Sequence, residues 1–468
     1  MKKCCCALVC MILVLSLLSC ANKVEEPQWP GYSGTMDGYE FFYPEGRERQ
    51  WEEDVLFVAE AFLKNHAQLS DSEFFTKIID LYEGTEKKEY SNIHYNKTLR
   101  DEFIAQFNEL IPRISELDDI DVRYELSRII AILKVAHSGV NVVVGSETML
   151  PFGFVPIGKT SDAVLCTVRV TEEYRHLLGS RLIAINGVPV SEVISKMSVY
   201  FPTENEYYPI FRLVSQLDYP LLTQFHALRA AGVVDREDTT ADLTFETEDG
   251  TVTERLEFIP LKEGMKLDKL SHDMITDLSL KNRMEDNFWF VVDADAEVPY
   301  LYVRFRTMYP QEIDFNKFYV MLETELKHAQ TPLKLIMDFR DNTGGMWDLD
   351  PETRFARSVN RYGTNGTYIL INGSCFSTGM ATPYHLSKAI DGAKLVGSPT
   401  GEFINCFSNG PDFETPNFGV SFRVSEFYIR CASGDESDAV YPDITVFQTW
   451  EDYQNNVDTV LEYVLSLK

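Results

Sequence analysis

The stretch that most constrains this chain is Thr367–Met380, which reads T-Y-I-L-I-N-G-S-C-F-S-T-G-M. Tyr368–Ile371 is a short apolar run of β-branched and aromatic residues, the composition of a buried strand. Asn372-Gly373-Ser374 is turn chemistry, and the residues from Thr378 onward read as a helix. Ser377 therefore falls between a strand end and a helix start, where unpaired backbone N–H groups and the positive end of the helix dipole lie. A serine in that place is either a helix N-cap or a nucleophile.

A second stretch weighs on that choice. Leu333–Phe339 is another expected strand, and it ends in Arg340-Asp341-Asn342-Thr343-Gly344-Gly345. Paired glycines directly after a buried strand let the backbone approach a ligand and aim its N–H groups at it. Ala393–Gly397 reads as a third strand, followed by Ser398-Pro399-Thr400-Gly401. The pattern is α/β, and ligands of such sheets bind at the carboxyl ends of the strands. Two strand-end features converge on one site.

These blocks, D-F-R-D-N-T-G-G, Y-I-L-I-N-G-S-C-F-S-T-G-M, A-K-L-V-G-S-P-T-G and A-V-Y-P-D-I, together resemble the signature blocks of S41 peptidases, in the family's order over Leu301–Val446. These are the tail-specific or C-terminal processing proteases and their tricorn-core and chlamydial-protease relatives. The resemblance implies a multidomain α/β chain with a ClpP/crotonase-like catalytic domain. It implies Ser377 as nucleophile, with an oxyanion hole from the N–H groups of Gly344, Gly345 and Thr378. Members with a Ser–Lys dyad carry a lysine in the block after G-x-P-T-x-G. Here that block is Gly397-Ser398-Pro399-Thr400-Gly401-Glu402-Phe403, while Lys388 and Lys394 fall too early. The Ser–His–Glu type is therefore expected. Met380 stands where many members have glutamate, and nothing in the sequence explains it.

At the other end, Lys2-Lys3 precede the apolar run Ala7–Leu18 and Leu17-Leu18-Ser19-Cys20. A basic start, an apolar core of that length and small closing residues mark residues 1–20 as a secretory signal, too short for a comfortable membrane span. Leu-x-Ser-Cys also resembles a bacterial lipobox, with Cys20 as the lipidated residue; the alternative is an ordinary signal peptide with a chance cysteine. Residues 21–50 then read as a tether, and an extracytoplasmic, lipid-anchored location in the cell envelope is expected.

The full chain has 43 Lys+Arg against 72 Asp+Glu, a net charge of −29. Removing Lys2 and Lys3 with the signal leaves −31, which argues against nucleic acid and against electrostatic adsorption to an anionic membrane. With 45% hydrophobic residues in 468, the chain can build two or three domains with real cores. Five of the nine cysteines lie in the signal region. Cys166, Cys375, Cys406 and Cys431 show no CxxC and no metal-ligand spacing; a Cys406–Cys431 disulfide is one open option. No metal or organic cofactor is implied.

Residues 51–149 are expected to be helical and to carry the catalytic histidine. Ser70-x-x-Glu73 looks like a capping box ahead of Phe74–Leu81. Leu126, Ile129, Ile130 and Leu133 recur at the spacing of a helix packed on a core. That helix delivers Ala136-His137-Ser138-Gly139 to an expected strand over Val140–Val144. His137 sits at an element boundary before a glycine, and it resembles the H-x-G-V block of the His-type enzymes. The rival, His385, lies eight residues along the helix after Ser377, ~12 Å away at 1.5 Å rise per residue.

Residues 150–265 turn to strands: Ala163–Val170, Arg181–Ile185 before Asn186-Gly187, and a hairpin about Glu248-Asp249-Gly250. L-L-G-S-R-L-I-A-I-N-G-V-P-V resembles the family's PDZ-like module, with Pro151–Phe154 as a candidate carboxylate-binding loop or plain core. Glu204–Val234 reads as an inserted helical hairpin or lid. Residues 266–468 form the expected catalytic domain. Within it, Glu436 before the P-D block matches the glutamate that orients the histidine in tricorn-like members, with Asp435 and Asp438 as alternatives.

The expected activity is a serine endopeptidase acting on extracytoplasmic proteins or peptides. Ser377 attacks a carbonyl, His137 moves the proton, and Glu436 fixes the imidazole tautomer. A histidine base predicts activity that falls as pH drops through about 6.5. Two other readings remain: a catalytically inactive lipoprotein that captures peptides or small ligands in the same cleft, and a scaffold whose PDZ-like domain holds the tail of an envelope partner.

Overall fold

The computed structural model describes residues 45–467 apart from 72–75, 81–86, 92, 160–162, 215–218, 268–269, 272–286 and 311–312. The signal, Cys20, most of the tether and Glu73 lie outside the described residues. Among the described residues no helix is long and apolar enough to cross a membrane.

The strands expected at Leu333–Phe339, Tyr368–Ile371 and Ala393–Gly397 are adjacent members of one sheet. Its order is Phe288–Asp293, Tyr300–Phe305, Lys334–Asp338, Thr367–Ile371, Lys394–Gly397 and Ile444–Thr445. The first pair is antiparallel and the rest run parallel. Parallel strands need crossovers, supplied here by helices Phe315–His328, Leu349–Tyr362 and Thr378–Ala389. Strand side chains alternate between the two faces. Leu301, Val303, Leu335, Met337, Ile369 and Ile371 pack with those three helices, whereas Tyr302, Ile336, Leu370 and Val396 pack with Val460, Leu461 and Val464 of the last helix, Thr459–Ser466. Burial on both faces is why these strands read as continuous apolar runs.

A buried charge network ties that last helix to the sheet. Asp338, fully buried at its strand end, accepts from Tyr302 Oη at 2.7 Å and pairs with Arg340 at 2.6 Å and Arg304 at 3.4 Å. Burial pushes its carboxyl up, but the Arg340 and Arg304 guanidiniums outweigh it and hold it well below the usual range. Arg340 also grips Asp458 at 2.8 and 2.7 Å, and Asp458 caps the helix by accepting from Leu461 N at 3.1 Å.

The β-rich region forms a second sheet in which Gly250–Glu257, Thr240–Thr247, Arg181–Ile185, Val164–Val170 and Leu270–Ser271 are neighbours, with Gly153–Ile157 and Val188–Pro189 joined at its side. Asn186 and Gly187 turn its short hairpin with φ of 47° and 74°. Phe152 and Phe154 are fully buried there, and Phe152 stacks on Phe245 at 5.7 Å. The stretch Pro151–Phe154 is thus core rather than a binding loop. Glu204–Val234 is helical in part, at Tyr208–Val214 and Phe225–Ala230, and Ile210, Leu213, Val214, Ala227 and Leu228 fill this domain's core. Those core residues are packed in place, while Phe211 lines a cavity with Asp341 and Thr343, and Arg212 lines another with His137.

Two expectations for the N-terminal region change. Thr76–Asp80, expected as helix, is a strand paired antiparallel with Lys87–Ser91 and parallel with Phe427–Arg430. Phe427–Arg430 lies in that four-stranded sheet with Asn405–Ser408. The strand after His137 is only Gly139–Val140, paired with Ser421–Arg423. Chain ends distant in sequence thus interleave. Asp54, fully buried on helix Arg47–Asn65, accepts from Thr415 Oγ1 at 2.6 Å and from the amides of Asn417 and Phe418 at 3.0 and 2.8 Å. The stripe Leu126, Ile129, Ile130 and Leu133 is buried as expected. Cys166, Cys375, Cys406 and Cys431 are all free, buried thiols, so Cys406 and Cys431 are not bridged.

Candidate active site

Ser377 occupies the turn between strand Thr367–Ile371 and helix Thr378–Ala389 with φ 55° and ψ −130°. That backbone conformation is strained for a residue with a Cβ and is the kind retained where surrounding structure holds it for function. Its side chain makes no helix-capping bond. The N-cap reading of Ser377 therefore fails, and its hydroxyl is free to face His137. The turn is held from beneath. Phe376 N donates to Asn342 O at 3.1 Å, and Cys375 Sγ donates to Phe339 O at 3.1 Å. Burial pushes the Cys375 thiol up to about 12, which makes it inert packing.

The D-N-T-G-G loop presses against this turn. Asn342, fully buried, donates from Nδ2 to Phe305 O at 3.0 Å and accepts Gly344 N at 2.9 Å. Gly344 has φ 100°, and a Cβ there would lie 2.7 Å from Ser377 Cβ, so only glycine fits. Because the Gly344 amide is taken by Asn342, it is not aimed at a ligand. Thr378 is the first residue of its helix, where an N–H has no intrahelical acceptor. Gly345 follows in the left-handed region, with φ 147°.

His137 arrives from the other end of the sequence. Helix Asp119–Ala131 ends, Lys134 turns the chain at φ 52°, and the residues around His137 are pinned. Ser138 Oγ donates to Ser425 Oγ and accepts Ser425 N, both at 3.0 Å, while Gly139 pairs with Arg423. The imidazole stacks on Phe376 at 4.5 Å, and Phe376 stacks on buried Tyr208 at 5.0 Å. His137 Nε2 then lies 3.2 Å from Ser377 Oγ. His385, by contrast, sits against Glu352 at 3.3 Å.

The carboxylate beside His137 is Glu402, not Glu436. Glu402 Oε1 lies 3.1 Å from His137 Nδ1, and its Oε2 accepts the Ser377 amide. Glu402 is fully buried. Its loop comes this close because Gly401 permits it: a Cβ there would meet Gly373 O at 2.4 Å and Tyr208 Cδ2 at 2.7 Å, and Gly401 N donates to Cys375 O at 3.1 Å. Thr400 locks the loop through Val440, whose amide donates to Thr400 Oγ1 at 2.9 Å. Glu436 instead lines a cavity of about 430 Å³ with His94, Cys406 and Tyr428. Sequence reasoning passed over Glu402 although it lies in the block inspected for a lysine; an acid in that block was the available signal.

A second carboxyl, Glu204, lies behind the pair. Its Oε2 accepts Phe403 N at 3.1 Å. Burial pushes the Glu204 carboxyl well above the ordinary range, and the charge of Glu402 adds to the rise.

No family model and no curated protein matches this chain in sequence. Solved structures match it in fold. Mature CPAF complexed with lactacystin superimposes with a TM-score of 0.58 at 13% identity over 89% of this chain and 97% of that one. Mature CPAF alone gives 0.57 at 12% identity over 89% and 96%. The photosystem II D1 C-terminal processing protease is also found, at 12% identity over 89% and 96%, with a TM-score of 0.38. The mixed α/β fold of this chain is thus the fold of CPAF.

Proposed function

We propose that this chain is a serine endopeptidase of the S41 type, acting through Ser377, His137 and Glu402. The observation that carries this reading is the line Ser377 Oγ, His137 Nε2 at 3.2 Å, and Glu402 Oε1 at 3.1 Å from Nδ1, built on a strained strand-to-helix turn. Ser377 Oγ attacks the peptide carbonyl while its proton passes to His137 Nε2. The resulting imidazolium gives that proton to the leaving amine, and a water repeats the sequence to release the acyl group. Glu402 holds the tautomer with Nδ1–H and offsets the imidazolium charge. The Nδ1 contact is short but not aligned as a full hydrogen bond, a common state of catalytic contacts before substrate binds. The Gly345 and Thr378 amides receive the developing oxyanion, where one donor is typically worth ~3–4 kcal/mol. Substrates are proteins or peptides outside the cytoplasm, with the chain held at the envelope through Cys20.

Fluorophosphonate labelling of the mature protein tests this. Wild type labels; Ser377→Ala and His137→Ala do not. A wild type that never labels while folded moves the reading to a ligand-binding lipoprotein.

A further inference from the structure

Each of the three residues behind the nucleophile has one polar atom engaged and one without a hydrogen-bond partner. His137 uses Nε2 toward Ser377 Oγ, Glu402 uses Oε2 on the Ser377 amide, and Glu204 uses Oε2 on the Phe403 amide. His137 Nδ1, Glu402 Oε1 and Glu204 Oε1 remain, all buried and none in an aligned hydrogen bond. These residues' ligand atoms lie within 4.8 Å of one another. Glu204 is 7% exposed and Glu402 fully buried, and neither is paired with a lysine or arginine among the described residues. Buried polar atoms left without a partner are costly, and a ligand that engages all three atoms together removes that cost.

We propose that His137, Glu204 and Glu402 form a binding site for a divalent cation of the zinc class, and that the bound cation silences the serine. One imidazole and two carboxylates suit zinc chemically, and three protein ligands leave its fourth position open. Metal–ligand bonds of about 2.0–2.2 Å place tetrahedral ligands about 3.3 Å apart. The 3.1 Å separation of His137 Nδ1 and Glu402 Oε1 fits that spacing. A dication is charge-matched to the two carboxylates once Glu204 has released its proton to solvent on binding. The cavity of about 430 Å³ reaches Glu204 past Cys406 and His94, and its lining does not include Ser377, so a small ion has a route that need not cross the nucleophile. A cation on Nδ1 takes the lone pair there, so the neutral imidazole carries its proton on Nε2 and cannot receive the one from Ser377. The silencing rests on the peptidase reading; the binding does not.

The experiment is calorimetric titration of zinc chloride into the metal-stripped mature chain carrying Ser377→Ala, which removes no ligand. One zinc per chain with a micromolar or tighter Kd is expected, and magnesium chloride should give no such site. Loss of outer partners alone weakens metal sites about 10–100-fold, so adding Glu204→Gln, or His137→Ala as a second ligand variant, should raise Kd by more than about a hundredfold. Labelling of the wild type should fall with the same zinc midpoint. No saturable binding, or an unchanged Kd in both ligand variants, overturns the site. Ligand-dependent binding in a chain that never labels supports the site and sinks the peptidase reading instead.

Discussion

The sharpest test of the catalytic geometry is Glu402→Gln. The exchange keeps the shape of the side chain, and the amide oxygen can still accept the Ser377 N–H. Its NH2 then faces His137 Nδ1 at the 3.1 Å separation now held by Oε1. Two donors cannot share that contact, so the imidazole shifts to the tautomer with Nε2–H. That proton points at Ser377 Oγ, 3.2 Å away, where a lone pair is required. In the serine-protease triad the equivalent aspartate-to-asparagine change lowers kcat by about 10⁴. That factor corresponds to ~5.5 kcal/mol of transition-state stabilisation. The assay is the second-order rate of fluorophosphonate labelling, with the thermal midpoint measured beside it. A fall of about 10³–10⁴ is expected for Glu402→Gln. Glu436→Gln, which alters only the cavity wall, should stay within a factor of about 2, since substitutions away from a site's contacts rarely exceed a few tenths of a kcal/mol. A Glu402→Gln chain that labels within tenfold of wild type, or a Glu436→Gln chain that loses a hundredfold, would refute the assignment.

Gly344→Ala should abolish labelling and lower the thermal midpoint, because its Cβ would stand 2.7 Å from Ser377 Cβ at a φ of 100°; an active, unshifted variant would disprove the tight approach. Asp458→Asn keeps the helix cap but takes one carboxylate away from the buried Arg340, and chemical denaturation should show a loss of about 3 kcal/mol. Glu147 supplies the pH test. Burial raises its carboxyl to about 7, so its folded-state pKa lies above the unfolded value and the native state pays a growing penalty as pH rises toward 7. Glu147→Gln should therefore stabilise the chain by up to about 3 kcal/mol above pH 8 and have little effect near pH 4. A stabilisation independent of pH would contradict that origin. Acid should act in the opposite sense through His66. Its buried ring is lowered to about 3, so its stability contribution is present above the ordinary histidine pKa and lost as pH falls from there toward 3. His66→Gln should flatten the acid limb of a thermal-midpoint profile between those values, and an unchanged limb would argue against it.

Local sequence was enough for the parallel sheet, the Ser377 turn and the boundary at His137. A strand buried on both faces must be a continuous apolar run, and turn residues sit where the backbone demands them. Thr367–Ile371 and Asn186-Gly187 could be read with no knowledge of their neighbours. The choice of carboxylate could not. Glu402 and Glu436 are both acids in loops after strands, and what separates them is that Gly401 lets one loop lie against Gly373 and Tyr208. That contact exists only once the strands are side by side. The parallel pairing of Thr76–Asp80 with Phe427–Arg430 is of the same kind, because strand partners hundreds of residues apart leave no local period to read. Glu204 is the plainest case. In the sequence it opens a helical stretch, and only the folded chain sets it beside His137 and Glu402. Residue types and spacings determined which elements form and which side chains carry chemistry. Which acid meets the histidine was decided by close packing between distant segments, since the contacts that place a buried charge belong to the whole fold.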